Sequence, residues 1–520
     1  MKFRPARFLF VLLLGTVATV LGIVTSMTLT PPGRDLLARV VSAELDRVVN
    51  GTIDVGRISG SFLSSLILED VVVRDTQGVL LAALARARVS YSIPRLLGGD
   101  IVLGELEADR ATIHIIQHHS GRMNYADVLR LGEGEPRTGP APLVMFRNVR
   151  LRDATLRIAM PWRPRPEWTP AQLDSALAFE RAKPGRIIEE TPEGYRRVIA
   201  LEDLTTVMSR LLISSPEGRP FTLDLDSLAA RISDPAVTVT ALEGRVRLRG
   251  DSAIFSLEHG SLPGTDFTGG GAVTWPQDTI LYDFQLESPR VDLADLRWVS
   301  PDFPGFTGSG VMAAKSITGR RTEYVLQQLD LGRGAERVTG DLVAILDKDR
   351  GLGFRDMDVI LTRFDLDHAR PYADTLPFYG TVSGTLAGTG WLDRMQIAVD
   401  WDFADAKVAG NPVSSIVAQG VVGFRQPEGL YFDRVRLRQS NIDLGTVERI
   451  APAVKVPGRL EAVGTLNGPM RNVTFVGNAR HHDGDRPVSA FTGQVRLDTR
   501  GEVLGVDLDV ALEPLDFEGS

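Results

Sequence analysis

The chain has 520 residues, of which 43% are apolar and 24% are charged, and its formal net charge is −8. This length predicts several domains or one elongated repeat, because single domains usually hold about 100–200 residues. The composition argues against intrinsic disorder and a polytopic membrane protein. No basic cluster indicates nucleic-acid binding. The sequence contains no Cys, which excludes disulfides, thiolate metal sites and Cys nucleophiles.

The N-terminus is a candidate membrane anchor. A basic start precedes an uncharged run at residues 8–29, which would extend ~33 Å as a helix and could cross a bilayer. We therefore expect a single transmembrane anchor at residues 1–30, with a cleaved signal peptide as the alternative. Basic residues on the short N-terminal side predict that the rest of the chain is exported. The expected anchor residues are Phe8, Leu12, Leu14, Val20 and Ile23.

Residues 31–50 predict one short amphipathic helix, because their apolar residues recur at helical spacing and Asn50-Gly51 supplies a stop. This helix would either cap the domain that follows or lie on the membrane surface.

From Thr52 onward the apolar residues recur with a period of two, which is typical of strands with one dry and one wet face. In residues 86–93, for example, Arg86 and Arg88 occupy one face and Val89 the other. Turn signals such as Asp75–Gly78 separate these runs. The sequence therefore predicts a mostly β chain of antiparallel meanders. The apolar residues expected on the dry face are Ile53, Val55, Val89, Tyr91, Ile93, Val149, Leu151, Leu156, Ile158, Val246, Leu248, Val435, Leu437, Val506, Leu508 and Val510.

The β-rich part divides into three regions. Residues 51–160 form a first β region, residues 161–200 a Pro-rich insertion or cover with one helix near 170–182, and residues 201–520 a repeated β region. Repeats begin near Val291, Phe364 and Ile442. Each reads apolar-Asp-Leu, a short helical turn, prolines and a Gly-spaced strand. Because a one-sided unit cannot bury its apolar face alone, the repeats are expected to stack.

An ordered set of residues lies within the segment 5–160: Gly51, Ile53, Val55, Ile58, Gly60, Leu68, Asp70, Val71, Asp75, Gly78, Tyr91, Leu96, Leu97 and Gly99. In their order and spacing they resemble the N-terminal region of the AsmA-like superfamily, and within it the translocation and assembly module (TamB) branch. The resemblance implies an elongated antiparallel sheet curled into a hydrophobic groove, anchored in the bacterial inner membrane with its bulk in the periplasm. It further implies phospholipid transport between the inner and outer membranes and an outer-membrane barrel protein as a partner.

This sequence departs from the TamB pattern at its C-terminus. It closes on a strand-like stretch at residues 506–520 rather than on the C-terminal domain typical of that branch. We therefore expect it to be part of a longer chain.

Alternation leaves two structures open. The apolar residues could line an open groove that holds acyl chains, or they could close on each other as ordinary sandwiches. Three functions remain compatible with these structures. They are a conduit for phospholipids, a scaffold that assembles or secretes outer-membrane β-barrel proteins, and a purely structural rod.

No motif predicts an enzyme, a cofactor or a metal. Gly308–Ala313 fits a dinucleotide-binding pattern by letter but lies inside a repeat. His114, His118 and His119 form one group that could bind a metal, and residues 481–485 form another. Solvated loops are the simpler interpretation of both. We expect no catalytic residue and no bound cofactor.

Overall fold

The computed structural model describes residues 51–513, apart from gaps at 62–63, 93–94, 96–100, 122, 129–142, 277–279, 300, 373–375, 426–428, 453 and 501–503. The expected anchor at 1–30, the amphipathic helix at 31–50 and the candidate Ile93 lie outside the described residues. Within the described ranges, no helix has the length and apolar character that a membrane crossing requires.

Strands hold 69% of the described residues, which confirms the mostly β expectation.

The chain divides into an N-terminal unit, residues 1–263, and a C-terminal unit, residues 264–520. This boundary falls inside the region 201–520 that the sequence groups together. The strands of the N-terminal unit are β1 (Thr52–Ser61), β2 (Ser65–Arg74), β3 (Leu80–Tyr91), β4 (Ile101–Ile116), β5 (Val144–Trp162), β6 (Ile187–Thr191), β7 (Gly194–Ser214), β8 (Phe221–Ile232), β9 (Val237–Val239), β10 (Ala241–Leu248) and β11 (Ser252–Ser261). Those of the C-terminal unit are β12 (Asp266–Thr274), β13 (Leu281–Asp292), β14 (Thr307–Thr318), β15 (Arg321–Arg333), β16 (Glu336–Asp347), β17 (Gly351–Asp365), β18 (Gly380–Trp391), β19 (Arg394–Asp405), β20 (Val413–Arg425), β21 (Gly429–Asp443), β22 (Arg459–Pro469), β23 (Asn472–His482), β24 (Ser489–Asp498) and β25 (Gly505–Glu513).

The N-terminal unit is not a pure meander. Strands β1 to β4 pair antiparallel in chain order, but β4 and β5 are parallel. A parallel pair needs a crossover of a dozen or more residues, and residues 117–143 provide it, with α1 (Asn124–Val128) inside. Strand β7 then pairs with β5 on one side and with β6 and β8 on the other. Alternation alone does not reveal this parallel pair, because both pairings use the same period.

The Pro-rich region contributes to the sheet, contrary to the expectation of a separate insertion. Helix α2 (Pro170–Arg181) begins at the predicted proline and is capped by Thr169, but β6 and the start of β7 pair within residues 187–198. Arg186 holds the segment after the helix through ion pairs of 2.6 Å to both Glu180 and Asp234. Only the middle of residues 161–200 therefore lies outside the sheet.

In the C-terminal unit, strands β12 to β25 pair antiparallel, each with the next in the chain. The described strands of each unit form an open, uncurled sheet. This excludes a closed sandwich of those strands, and it corrects the expectation of a sheet curled into a groove. Short connections fix only the lateral order of strands. Closing a sheet also needs pairing between distant strands, and no described pairing supplies it.

Three long connecting segments, residues 293–306, 366–379 and 444–458, follow the three predicted repeat starts. Each joins two adjacent antiparallel strands. Each begins at an Asp that ends a strand and caps a short helix: Asp292 before Leu293–Leu296, Asp365 before Leu366–Ala369, and Asp443 before α3 (Leu444–Ile450). The Oδ1 atoms of these residues accept backbone N–H groups two residues later at 2.8, 2.9 and 3.0 Å. Because strands alternate in direction, all three segments lie at the same end of the C-terminal sheet.

β-Bulges interrupt many strands. Ten residues within strands have left-handed backbone angles without being Gly, and the ladders shift register beside most of them. Such residues cost conformational energy. A hydrogen bond to the N–H group of the bulged residue can offset part of that cost. The N–H of Gln328 donates to Asp341 Oδ1 at 2.6 Å, and that of Arg434 donates to Asn467 Oδ1 at 2.8 Å. The neighbouring strand therefore stabilises the bulge. The ten residues are Asp70, Arg110, Asn148, Asp153, Asp203, Gln328, Asp356, Arg363, Arg434 and Gln439.

We expect Asp443→Ala to destabilise α3 locally. Loss of a helix N-cap costs about 1 kcal/mol, so amide exchange at Gly445 and Thr446 should accelerate roughly fivefold, because about 1.4 kcal/mol corresponds to tenfold. The matched control is Asp400→Ala, which removes an exposed carboxylate from β19 and should leave these two amides unchanged. Equal exchange rates in both variants would show that the Asp443 cap does not stabilise α3.

Candidate functional site

The described candidate residues of the N-terminal unit lie on one face of its sheet, the N-terminal apolar face. The ladder pairs Val89 with Leu106, Leu106 with Val149, and Val149 with Met208. Directly paired residues point to the same face, so these contacts trace one apolar row across four strands. The face holds the candidates Ile53, Val55, Val89, Tyr91, Val149, Leu151, Leu156, Ile158, Val246 and Leu248.

The centre of this face is made of small side chains. Ala87, Ala108, Ala111 and Ala154 are buried, and larger residues such as Leu84 and Leu156 pack around them. Small residues in the middle of neighbouring strands let the flanking aliphatic chains meet over them. The centre of the face is therefore packed by its own side chains.

The opposite face of the N-terminal unit carries ion pairs. Arg150 contacts Glu107 at 2.9 Å, while Arg210 and Arg245 contact Asp224 at 2.8 and 2.5 Å. Exposed pairs of this kind contribute only about 0–1 kcal/mol each. Their main consequence is a charged, hydrated surface behind an apolar one.

The C-terminal unit has a second such surface, the C-terminal apolar face. Its ladder pairs Val435 with Leu466, Leu466 with Phe475, Phe475 with Val495, and Val495 with Leu508. The five described candidates of this unit share the face: Val435, Leu437, Val506, Leu508 and Val510. One apolar row therefore crosses β21 to β25.

Exposure changes along this face. Val435 is 3% exposed in a cluster with Phe432 and Leu466. On β25, by contrast, Val506 is 48% and Leu508 58% exposed. The apolar face is thus packed near β21 and open at β25. The candidates on the two strands share a face but not an environment.

Aromatic side chains contribute to the same face, and the candidate set did not include them. Strand β19 alternates Met395, Ile397, Val399, Trp401 and Phe403 without a break. These residues pack into the two main clusters of the C-terminal unit. The same period of two that identified β25 would have found them.

The long connecting segments cover one end of the C-terminal apolar face. Phe306 is 2% exposed and stacks on Phe364, with ring centroids 6.1 Å apart. Phe378, from the next segment, packs edge-on against Phe403 at 5.6 Å. The apolar face is therefore sealed by aromatic rings at the end where the capped helices lie.

Two residues of the second candidate metal group, His481 and Asp483, have structural partners. His481 Nε2 lies 2.7 Å from the Pro457 carbonyl oxygen, and Arg486 pairs with Asp483 at 2.8 Å. Residues 308–313 lie within β14, which leads into another strand rather than into a helix. Among the described residues no cluster of His, Asp and Glu could hold a metal ion. Burial, together with the Arg157 cation, lowers the pKa of His114 and favours the neutral ring.

One acidic side chain on the polar face of the C-terminal unit is held by two cations. Arg321 Nη2 and Arg355 Nη2 lie 2.6 and 2.9 Å from the Glu323 carboxylate oxygens. Burial alone would raise the pKa of Glu323, but the hydrogen bonds from Arg355 and Arg321 outweigh it and lower the pKa. The ionised carboxylate is therefore the form that this cluster stabilises.

The lowered pKa of Glu323 predicts a pH dependence of stability. The stabilisation is complete above the ordinary carboxyl pKa of about 4.3 and is lost as the pH falls through the lower folded-state pKa. Between pH 5 and pH 3 the urea midpoint of the wild type should therefore fall more steeply than that of Glu323→Gln. The control Glu287→Gln changes an exposed residue of β13 and should keep the wild-type slope. Parallel slopes for all three proteins would contradict this assignment.

Comparisons of the chain with protein-family models, with curated proteins and with solved structures found no match. The described strands of each unit present one apolar face and one charged face.

Proposed function

We propose that the chain is a non-enzymatic phospholipid carrier of the bacterial envelope, anchored in the inner membrane and acting between the inner and outer membranes. The observation that carries this proposal is the unbroken register of apolar side chains across successive strands of each unit. The resemblance of residues 5–160 to the AsmA-like superfamily supports the location. The phospholipids are the partners, and no cofactor is needed.

An apolar face suits acyl chains because it offers no hydrogen-bond donor that a hydrocarbon would leave unpaired. Burial contributes about 0.8 kcal/mol per CH₂, so two sixteen-carbon chains would gain about 20 kcal/mol gross on complete burial. The exposed Val506, Leu508 and Leu512 on β25 provide accessible apolar surface. A lipid could enter there without displacing a packed core.

The bulges support a finer part of the proposal, that single strands bend locally toward the apolar face while the sheet stays open. Bulges bend strands and strengthen their twist. The residue after a left-handed bulge position is often deeply buried: Ala111 at 1%, Val149 at 2% and Val435 at 3%. Such burial favours a bend toward the apolar face, because a bend the other way would splay these side chains into water.

We expect Leu508→Asp to reduce phospholipid transfer by tenfold or more. A carboxylate at this position would have to be desolvated by a bound acyl chain, and an unpaired buried charge costs several kcal/mol. The matched control is Ala511→Asp, which adds the same charge to the exposed opposite face of the same strand. Transfer of a fluorescent phospholipid between donor and acceptor vesicles measures the rate, and mass spectrometry of the purified chain measures bound lipid.

The two variants separate a lipid-binding face from a general effect of charge. Equal rates for Leu508→Asp, Ala511→Asp and the wild type would remove β25 from the pathway. No bound phospholipid in any preparation would contradict the carrier proposal and favour a structural rod.

The second candidate function is a scaffold for the assembly or secretion of outer-membrane β-barrel proteins. The observation that favours it is the regular antiparallel ladder of β24 with β25, a backbone pattern that a strand of another chain could extend. Photo-crosslinkers at Val506 and Leu508 distinguish the functions, since a scaffold predicts adducts with a barrel protein and a carrier predicts adducts with phospholipid.

A further inference from the structure

The polar faces of the two units arrange their charges differently. In the N-terminal unit, one row of directly paired residues alternates in sign across five strands: Arg57, Glu69, Arg86, Asp109 and Arg152. Arg57 contacts Glu69 at 3.3 Å, and Arg152 contacts Asp109 at 3.8 Å. Opposite charges on neighbouring strands stabilise a sheet, so this face neutralises its own charges.

The polar face of the C-terminal unit places opposite charges on different strands. Three neighbouring ladder rows, which we call the segregated rows, cross β17 to β23 through Ala398, Asp400 and Asp402 of β19. Their positions on β18 and β20 are uncharged. The acidic members are Asp358, Asp400 and Asp402 on β17 and β19, and the basic members are Arg436, Arg438 and Arg480 on β21 and β23. Each half has one exception, Arg363 on β17 and Glu461 on β22.

Most of these charges are unpaired within the described part of the chain. The residues that are exposed and contact no oppositely charged side chain there are Asp358, Asp400, Arg436, Arg438 and Arg480. Because like charges lie together, each half of the segregated rows repels its own members and attracts the opposite sign from outside.

The register makes the segregated rows complementary to themselves. Asp400, Val417 and Arg438 occupy one row on β19, β20 and β21. A two-fold axis along β20 exchanges β19 with β21 and keeps each residue in its row. Asp400 of one copy would then face Arg438 of a second copy, and the reverse contact would form as well, as in any isologous interface.

The two exceptions fit the same axis, which also lays β18 over β22 and β17 over β23. Ser383 of one copy would face Glu461 of the second, and the N–H of Arg363 donates to Ser383 Oγ at 2.9 Å. Glu461 would therefore lie between Arg363 of the other copy and Arg480, its own ladder partner.

Exposed apolar side chains lie in or beside the same rows. Ile360 is 52%, Val463 49% and Val476 44% exposed. The axis would bring Ile360 over Asn478, the ladder partner of Val463, so both copies would bury apolar surface together. Strands β17 to β23 are each at least 11 residues long and offer roughly 1,000 Å² of face per copy at ~4.8 Å per strand. A stable interface buries about 800 Å² on each partner.

We propose that the polar face of the C-terminal unit binds a second copy of the chain through the segregated rows, with the two Asp400–Arg438 contacts at the centre. The apolar faces of the two copies would point away from each other and stay accessible. This inference therefore does not depend on phospholipid binding.

The test measures the monomer–dimer equilibrium of the full chain in density-matched detergent by analytical ultracentrifugation. We expect the dissociation constant to rise at least about tenfold in Asp400→Arg and in Arg438→Asp, because each change places like charges opposite each other twice per dimer. The control Asp54→Arg reverses an exposed charge of the N-terminal unit and should leave the dissociation constant unchanged.

Mixing the two variants shows whether the contact joins different copies. An equal mixture of Asp400→Arg and Arg438→Asp should regain the wild-type affinity, because every central contact of the mixed dimer joins opposite charges. A wild-type chain that stays monomeric at every concentration, or a mixture that dimerises no better than either variant alone, would overturn the proposal.

A crosslink locates the axis. Val417 lies on it, and the chain has no native Cys, so Val417→Cys would place two thiols opposite each other and a short bismaleimide should join them. The control Leu508→Cys exposes a thiol on the apolar face and should give no dimer. Crosslinked dimers of Leu508→Cys but not of Val417→Cys would mean that the copies meet through their apolar faces, which contradicts the proposed interface.

Discussion

The antiparallel ladder is the constraint on which the rest of the structure depends. A strand places successive side chains on opposite faces, and pairing transmits that choice to the next strand. Once Val435 faces one side, Leu466, Phe475, Val495 and Leu508 must follow through their pairings. A slip of one residue would move a whole apolar row into water. The register therefore maintains a continuous apolar face without any contact between distant strands.

The bulges make this constraint compatible with long strands. In β5 the candidates Val149 and Leu151 have odd numbers and Leu156 and Ile158 have even numbers, so strict alternation would place the two pairs on opposite faces. Asp153, with φ of 51°, takes up the extra residue, and the ladder with β4 then returns Leu156 to the face of Leu151. Asp356 and Arg434 accompany the same kind of register shift in the C-terminal unit.

Alternation in the sequence was sufficient to predict the mostly β fold and the shared face of residues as distant as Ile53 and Val246. It could not predict the parallel pairing of β4 with β5, because period and pairing direction are independent. It also could not predict exposure. Val435 and Leu508 have the same pattern in sequence, but one lies in an aromatic cluster and the other on β25. Burial depends on which residues from other segments, such as Phe378, cover each strand. No short-range pattern contains that information.

The long connecting segments end three strands and cover part of the apolar face. The strands cannot do either by themselves, because each strand only extends the same apolar face. Asp292, Asp365 and Asp443 stop three strands at one end of the sheet and start short helices there. The chain that follows brings Phe306 and Phe378 over the apolar side chains and, at the junction of α3 with β19, brings cations next to them. The apolar face therefore ends in a polar corner of paired charges, such as Arg449 with Asp405. This arrangement requires both the periodic strands and the irregular segments between the repeats.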